Sequence, residues 1–231
     1  MSLPERFAPF NYSKWVEDAE NFSKGLARAF DLDVSILIEP KLTSLEVNRL
    51  QELCGKPMPT ALLEFLEEGC GGLDISYSWE IEVDDSVALA NLSEIFGYSR
   101  SDLWGGGAFC FASSLVDYQL KVQEWAHNTW VAEDPDEFAK WNKAIPIMEM
   151  PNGDFLSLDG RESNANPRVL YLAHDDVSPV IAKSFTTFLN DWAKVCFVGP
   201  EYWMLEPFLS REGLLDSGGN KARQLRSLLL N

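Results

Sequence analysis

His174 precedes Asp175 and Asp176, and an imidazole beside two carboxylates is a donor set for a divalent metal or for acid–base hydrolysis. Successive side chains of an extended segment point to opposite sides, so the three do not readily converge on one ion. The row reads as a solvated loop closing a strand. The other histidine, His127, has Glu124 as its one carboxylate neighbour within three residues and reads as a helix-end residue. Gly105 to Gly107 could cradle a phosphate, but Ala108-Phe109-Cys110 follows where a P-loop needs Lys-Ser or Lys-Thr, so a flexible loop is expected. Cys70, between glycines, has no histidine near it in sequence to activate a thiolate.

A second set of acids has a different pattern. Glu80, Glu82 and Asp84 recur at every second position and Asp85 extends the row. In a strand their carboxylates project together about 7 Å apart. A basic partner would relieve their repulsion, and so, more weakly, would salt; a binding face and a plain solvated face both fit. The Asp175-Asp176 loop is the second candidate contact. Of the eight tryptophans, Trp79 and Trp192 fall on apolar stripes, whereas Trp104, Trp130 and Trp203 lie in unpatterned stretches from which an interface anchor could come.

Composition narrows the partners. Thirty-six acids against nineteen bases give a net charge of −17, more than solubility requires. Such a surface repels nucleic acid and anionic membranes and steers basic proteins inward. The positive exception is the end of the chain, where Lys221, Arg223 and Arg226 occur without an acid after Asn220. No run approaches the roughly 18 to 20 apolar residues of a membrane span, and MSLPERFAPF lacks a secretory pattern, so a cytoplasmic location is expected. Cys54, Cys70, Cys110 and Cys196 show no CxxC spacing and read as free thiols, with no zinc site and no cofactor expected.

The positioning elements follow from periodicity. A helix is expected over 12 to 30, capped by Ser13, with Glu17 and Asp18 in its first turn and Trp15, Ala19, Phe22, Leu26 and Phe30 on one stripe. Leu32 to Ile38 suits a short strand. Thr43 with Glu46 makes a capping box for a second helix that would bury Leu45, Leu50 and Leu53 up to Gly55. A third helix covers Thr60 to Glu68, with Leu62, Phe65 and Leu66 inward. From Ile75 to Asp84 the alternation is strict: Ile75, Tyr77, Trp79, Ile81 and Val83 on one face, Ser76, Ser78, Glu80, Glu82 and Asp84 on the other. Residues 92 to 143 carry little pattern beyond a helix in LVDYQLKVQEW and an acidic turn at Asp134 to Glu137. The turn Pro151-Asn152-Gly153 joins two apolar runs, best as a type I turn followed by a left-handed Gly153. A third strand, PRVLYL, and a helix carrying Phe185, Phe188, Leu189 and Trp192 on one face complete the region. After Gly218-Gly219, the segment ARQLRSLLL forms a leucine-rich helix that something must cover.

In order, the segments LTSLEVNRLQELCG, PMPTALLEFLEEGCGGLD, IPIMEMPNGDFLSLD, VLYLAHDD and IAKSFTTFLNDW resemble the SUKH superfamily of fungal cell-wall-assembly regulators and bacterial proteins. Cys70 stands where the family usually carries Asn. The resemblance implies an α+β fold, an antiparallel or mixed sheet flanked by helices, with a core at about 43–195 of a single domain, an N-terminal helical extension at 1–40 and a C-terminal tail at 200–231. It also implies a non-catalytic protein that neutralises a bacterial toxin by direct binding; the acidic surface makes a basic nuclease domain a natural target, since it can occupy a cleft built for phosphates. Two other readings stand beside this: a regulatory or scaffold protein binding an endogenous partner, through the terminal helix, and a hydrolase using His174 and Asp176.

Overall fold

Two antiparallel sheets organise the computed structural model, which describes residues 10–29, 33–82 and 84–230. The first sheet holds β1 (Asp33–Glu39), β2 (Gly72–Glu80) and β3 (Asp102–Phe109), in the order β1-β2-β3. The second is a meander of β4 (Ile145–Glu149), β5 (Phe155–Leu158), β6 (Val169–Leu172) and β7 (Val180–Ala182). Helices α1 (Tyr12–Ala29), α2 (Ser44–Cys54) and α3 (Thr60–Glu64) precede or separate the first strands, and α3 runs on into a π turn at Phe65–Gly69. Then come α4 (Ser86–Phe96), α5 (Leu115–Ala126), α6 (Thr129–Glu133), α7 (Pro135–Lys143), α8 (Phe185–Lys194), α9 (Tyr202–Leu205) and α10 (Asn220–Leu230). This is the expected α+β arrangement, and every strand pair is antiparallel.

The apolar stripes explain the packing. In α8 the Ser184 hydroxyl accepts from Thr187 N and caps the helix, and Phe185, Phe188, Leu189 and Trp192 are all buried. Phe109 of β3 meets this helix through Phe185, Phe188 and Trp192 at centroid distances of 5.4 to 6.2 Å. Trp15 of α1 ties in from the other direction, its indole N–H donating to Leu189 O at 2.8 Å. The chain outside 43–195 therefore shares this core: Leu225 and Leu229 of α10 and Trp15 and Leu26 of α1 all belong to the same buried cluster.

The expected turn is present. Gly153 has φ +91°, its N–H donates to Met150 O at 3.0 Å, and Met150 N donates to Asp154 O. Thr43 and Glu46 form the capping box of α2, which ends on a left-handed Gly55.

Several expectations fail for identifiable reasons. The helix cap of α1 is Asn11, which accepts from Lys14 N; Ser13 lies inside the helix and donates to Glu68 O, and Glu17 and Asp18 fall beyond the first turn. Phe30, Leu32 and Val83 lie outside the described residues. Leu45 and Leu53 of α2 face solvent while Val47 and Leu50 are buried. At 100° per residue, Leu45 is roughly 140° around the helix from Leu50, too far to share its face. Gly105 to Gly107 are not a loop; they form the middle of β3. A β carbon on Gly106, at φ +95°, would stand 1.8 Å from Ile75 O, so glycine is what lets β3 pair there. The strict alternation also stops early, because β2 ends at Glu80.

Candidate functional site

The end of β2 determines where the acidic row goes. Ile81 N donates to Ser101 O, which carries the β2-β3 pairing one residue further; the chain then leaves the sheet, and Asp85 N bonds Glu82 O, closing a tight turn. Asp85 accepts from Ala88 N at 3.0 Å and caps α4. Only Glu80 of the four acids therefore lies on a strand, and the expected face of carboxylates at period two is replaced by a turn and a helix start. The change gathers rather than scatters charge. Glu80, Glu82 and Asp85, with Asp33 from β1, line a groove of about 720 Å³ whose other walls include Ser78, Trp79, Ile81, Val87, Asn91 and Leu228. Asp84 is exposed beside it but does not line it.

No Lys or Arg lines this groove, and among the described residues none pairs with its four acids. Several acids elsewhere are paired. Glu137 is held by Lys140 at 2.6 Å, Asp159 by Arg161 and Arg168 at 2.8 Å each, and Glu149 by Lys121 at 2.7 Å. Unpaired carboxylates around a concave surface leave a negative potential that a basic partner can neutralise.

The Asp175-Asp176 loop is anchored at both ends. His174 Nδ1 and His174 N both lie within hydrogen-bond reach of Asp154 Oδ1, at 2.7 and 2.9 Å. The other Asp154 oxygen accepts from the Tyr171 hydroxyl at 2.8 Å and from Asn152 at 2.6 Å. Trp130 donates its indole N–H to His174 O, Glu137 accepts from Ser178 N, and Lys140 donates to Ser178 O. These bonds fix both ends of the loop and leave Val177, with Asp175 and Asp176, at its exposed tip.

The same bonds correct the chemistry read for His174. Its partner is Asp154, twenty residues away; Asp176 accepts instead from the adjacent Val177 N. The hydrolase pair His174 and Asp176 is thus not assembled. Asp154, His174 and Asp175 do offer ligand atoms within 4.8 Å of one another. Both Asp154 oxygens, however, are already committed to four protein donors, which suits a structural hub better than an open cation site.

The cysteines carry no poised nucleophile. All four are free; Cys70, Cys110 and Cys196 are buried and Cys54 is half-buried. Burial pushes the Cys70 thiol up to about 11 and the Cys196 thiol up to about 12, and raises Cys110 as well. Trp203 is the most exposed of the three unpatterned tryptophans; it packs edge-on against Trp104 at 5.7 Å, with the Arg100 guanidinium 4.7 Å over its ring. Trp104 and Trp130 are half-buried. Sequence reasoning missed α4 and Asp154. Asp85 followed by an apolar stretch and Gly97 was a readable helix start and stop, whereas nothing local pointed from Asp154 to His174.

The model of the SMI1 / KNR4 family (SUKH-1) matches residues 41–191. No curated protein matches the chain. No helix among the described residues is long and apolar enough to cross a membrane.

Proposed function

The chain belongs to the SMI1 / KNR4 family (SUKH-1), and from that membership we propose that it is a non-catalytic binding protein, an immunity protein that neutralises a cognate bacterial toxin by direct contact. The observation that carries the proposal is the groove of Asp33, Glu80, Glu82 and Asp85, four carboxylates with no base among the residues lining it. A basic toxin domain, such as a nuclease whose cleft is built for phosphates, has the complementary charge. Asp84 adds to the field at the groove's edge, and the anchored Asp175-Asp176 loop is a second contact. The partner is a protein; at −17 the chain repels nucleic acid and anionic membranes. We place it in the cytoplasm and read residues 1–231 as one domain.

Co-expression with any toxin encoded beside it is the test. Protection of the cells, lost on combined reversal of Glu80, Glu82 and Asp85 to Lys with the fold intact, supports the proposal. Failure to protect or to bind that toxin overturns it.

The scaffold reading is weakened by α10, the helix it relies on. Leu225 and Leu229 are buried in the protein's own core, which leaves Leu230 as the exposed apolar residue of that helix. Removing residues 220 to 231 would then uncover the core instead of deleting a docking arm.

A further inference from the structure

We propose that β1 is a docking edge, which an extended basic segment of the partner joins as a fourth strand of the first sheet; this rests on the binding reading above. In the order β1-β2-β3, β1 pairs with a strand on one side only among the described residues. Its pairing with β2 is unbroken over seven residues, from Asp33↔Ser78 to Glu39↔Gly72. An edge of this kind is a template for another strand, and proteins usually protect it with Lys, Pro or a bulge. β1 has none of these within Asp-Val-Ser-Ile-Leu-Ile-Glu. Val34, Ile36 and Ile38 pack against the core on one face, and Leu37 stands 53% exposed on the other, so an added strand would find apolar contact as well as backbone partners.

Charge selects the occupant. A second copy pairing antiparallel along the whole of β1 would turn about Ile36 and set Asp33 opposite Glu39 at both ends, which opposes self-association. A partner strand with Lys or Arg near its ends meets a carboxylate at each end instead. Asp33 also lines the acidic groove, so a strand seated on β1 would continue directly into that negative surface.

The test uses the full chain and a synthetic seven-residue peptide of alternating Val and Thr with Lys at both ends. Comparison peptides carry Glu at the ends, or methyl groups on alternate backbone nitrogens. Binding is followed by fluorescence anisotropy and by hydrogen exchange at residues 33–39. The expected result is binding of the Lys-ended peptide with slowed exchange in β1, and at least about tenfold weaker binding of the methylated form, which cannot complete the ladder. Joint reversal of Asp33 and Glu39 to Lys should shift the preference to the Glu-ended peptide, while Leu37→Lys should weaken both. Equal binding of the methylated peptide, protection elsewhere than β1, concentration-dependent self-association through β1, or no binding at millimolar peptide would each overturn the proposal. A toxin that binds, is lost on reversal of Glu80, Glu82 and Asp85, and leaves β1 exchange unchanged would retire strand addition while keeping the binding reading.

Discussion

The Asp154 carboxylate lies 2.7 Å from Nδ1 of His174 and simultaneously accepts from the His174 backbone N–H, so one buried side chain fixes both the ring and the start of the exposed acidic loop. The arrangement is positional. Asp154→Ala would strand the Tyr171 hydroxyl and the His174 backbone donor together, at a cost of about 2 to 3 kcal/mol. His174→Ala leaves Asp154 its other donors and should cost only about 1 kcal/mol. Urea midpoints of the two variants check the order, and amide exchange over 174–178 should accelerate most in Asp154→Ala. A larger loss in His174→Ala would show the hub to be wrongly assigned.

The groove makes a kinetic prediction. Steering by unpaired carboxylates acts over about 8 Å at physiological salt, so raising ionic strength should slow association with a basic partner more than it speeds dissociation. Changing Glu80, Glu82 and Asp85 to Gln should lower the association rate about tenfold at low salt and flatten its salt dependence. Stopped-flow binding at several salt concentrations reads both quantities. Since Asp85 also caps α4, a variant with Asp85→Asn keeps a capping side chain and separates lost charge from a lost helix start.

What could be read in the sequence was the set of local rules, and what could not was their competition. Thr43 with Glu46, Pro151 to Gly153, and Phe185 to Trp192 each act within a few residues, and all three formed as expected. The acidic row failed because alternation says nothing about strand length. Ile81 continues the pattern and still bonds to Ser101 in the β2-β3 register, but the chain then enters the Glu82–Asp85 turn and leaves the sheet. Asp33 joined the groove through pairing with Ser78, a contact forty-five residues away that no local pattern encodes. The glycines were misread for a related reason: Gly105 to Gly107 look like a loop until Tyr77, Ile75 and Phe197 are brought against them.

Gly106 can test that explanation directly. Its β carbon would collide with the Ile75 carbonyl, and its φ of +95° is unfavourable for any other residue. Gly106→Ala should therefore destabilise the fold by about 3 kcal/mol or more, through both strain and a loosened β2-β3 ladder. Gly153→Ala is the control. Its φ is also positive, but no atom lies within 4 Å of the added carbon, so the cost should stay near 1 kcal/mol. Thermal unfolding of both variants compares strain alone with strain plus collision.

Asp159 sets a pH signature. Burial alone would raise its carboxyl, but hydrogen bonds and charge from Arg161, joined by Arg168, hold it below the ordinary carboxylate value. A group with a depressed folded-state pKa stabilises the protein above its unfolded value of about 3.9 and loses that contribution as pH falls through the lower folded value. Asp159→Asn should accordingly cost about 2 kcal/mol at neutral pH, below the figure for a fully buried pair because Arg161 and Arg168 are partly exposed. The gap between wild type and variant should stay level from pH 7 to about pH 5 and narrow below about pH 4. Denaturant unfolding across that range measures it, and a gap that widened on acidification would reverse the sign and refute the assignment.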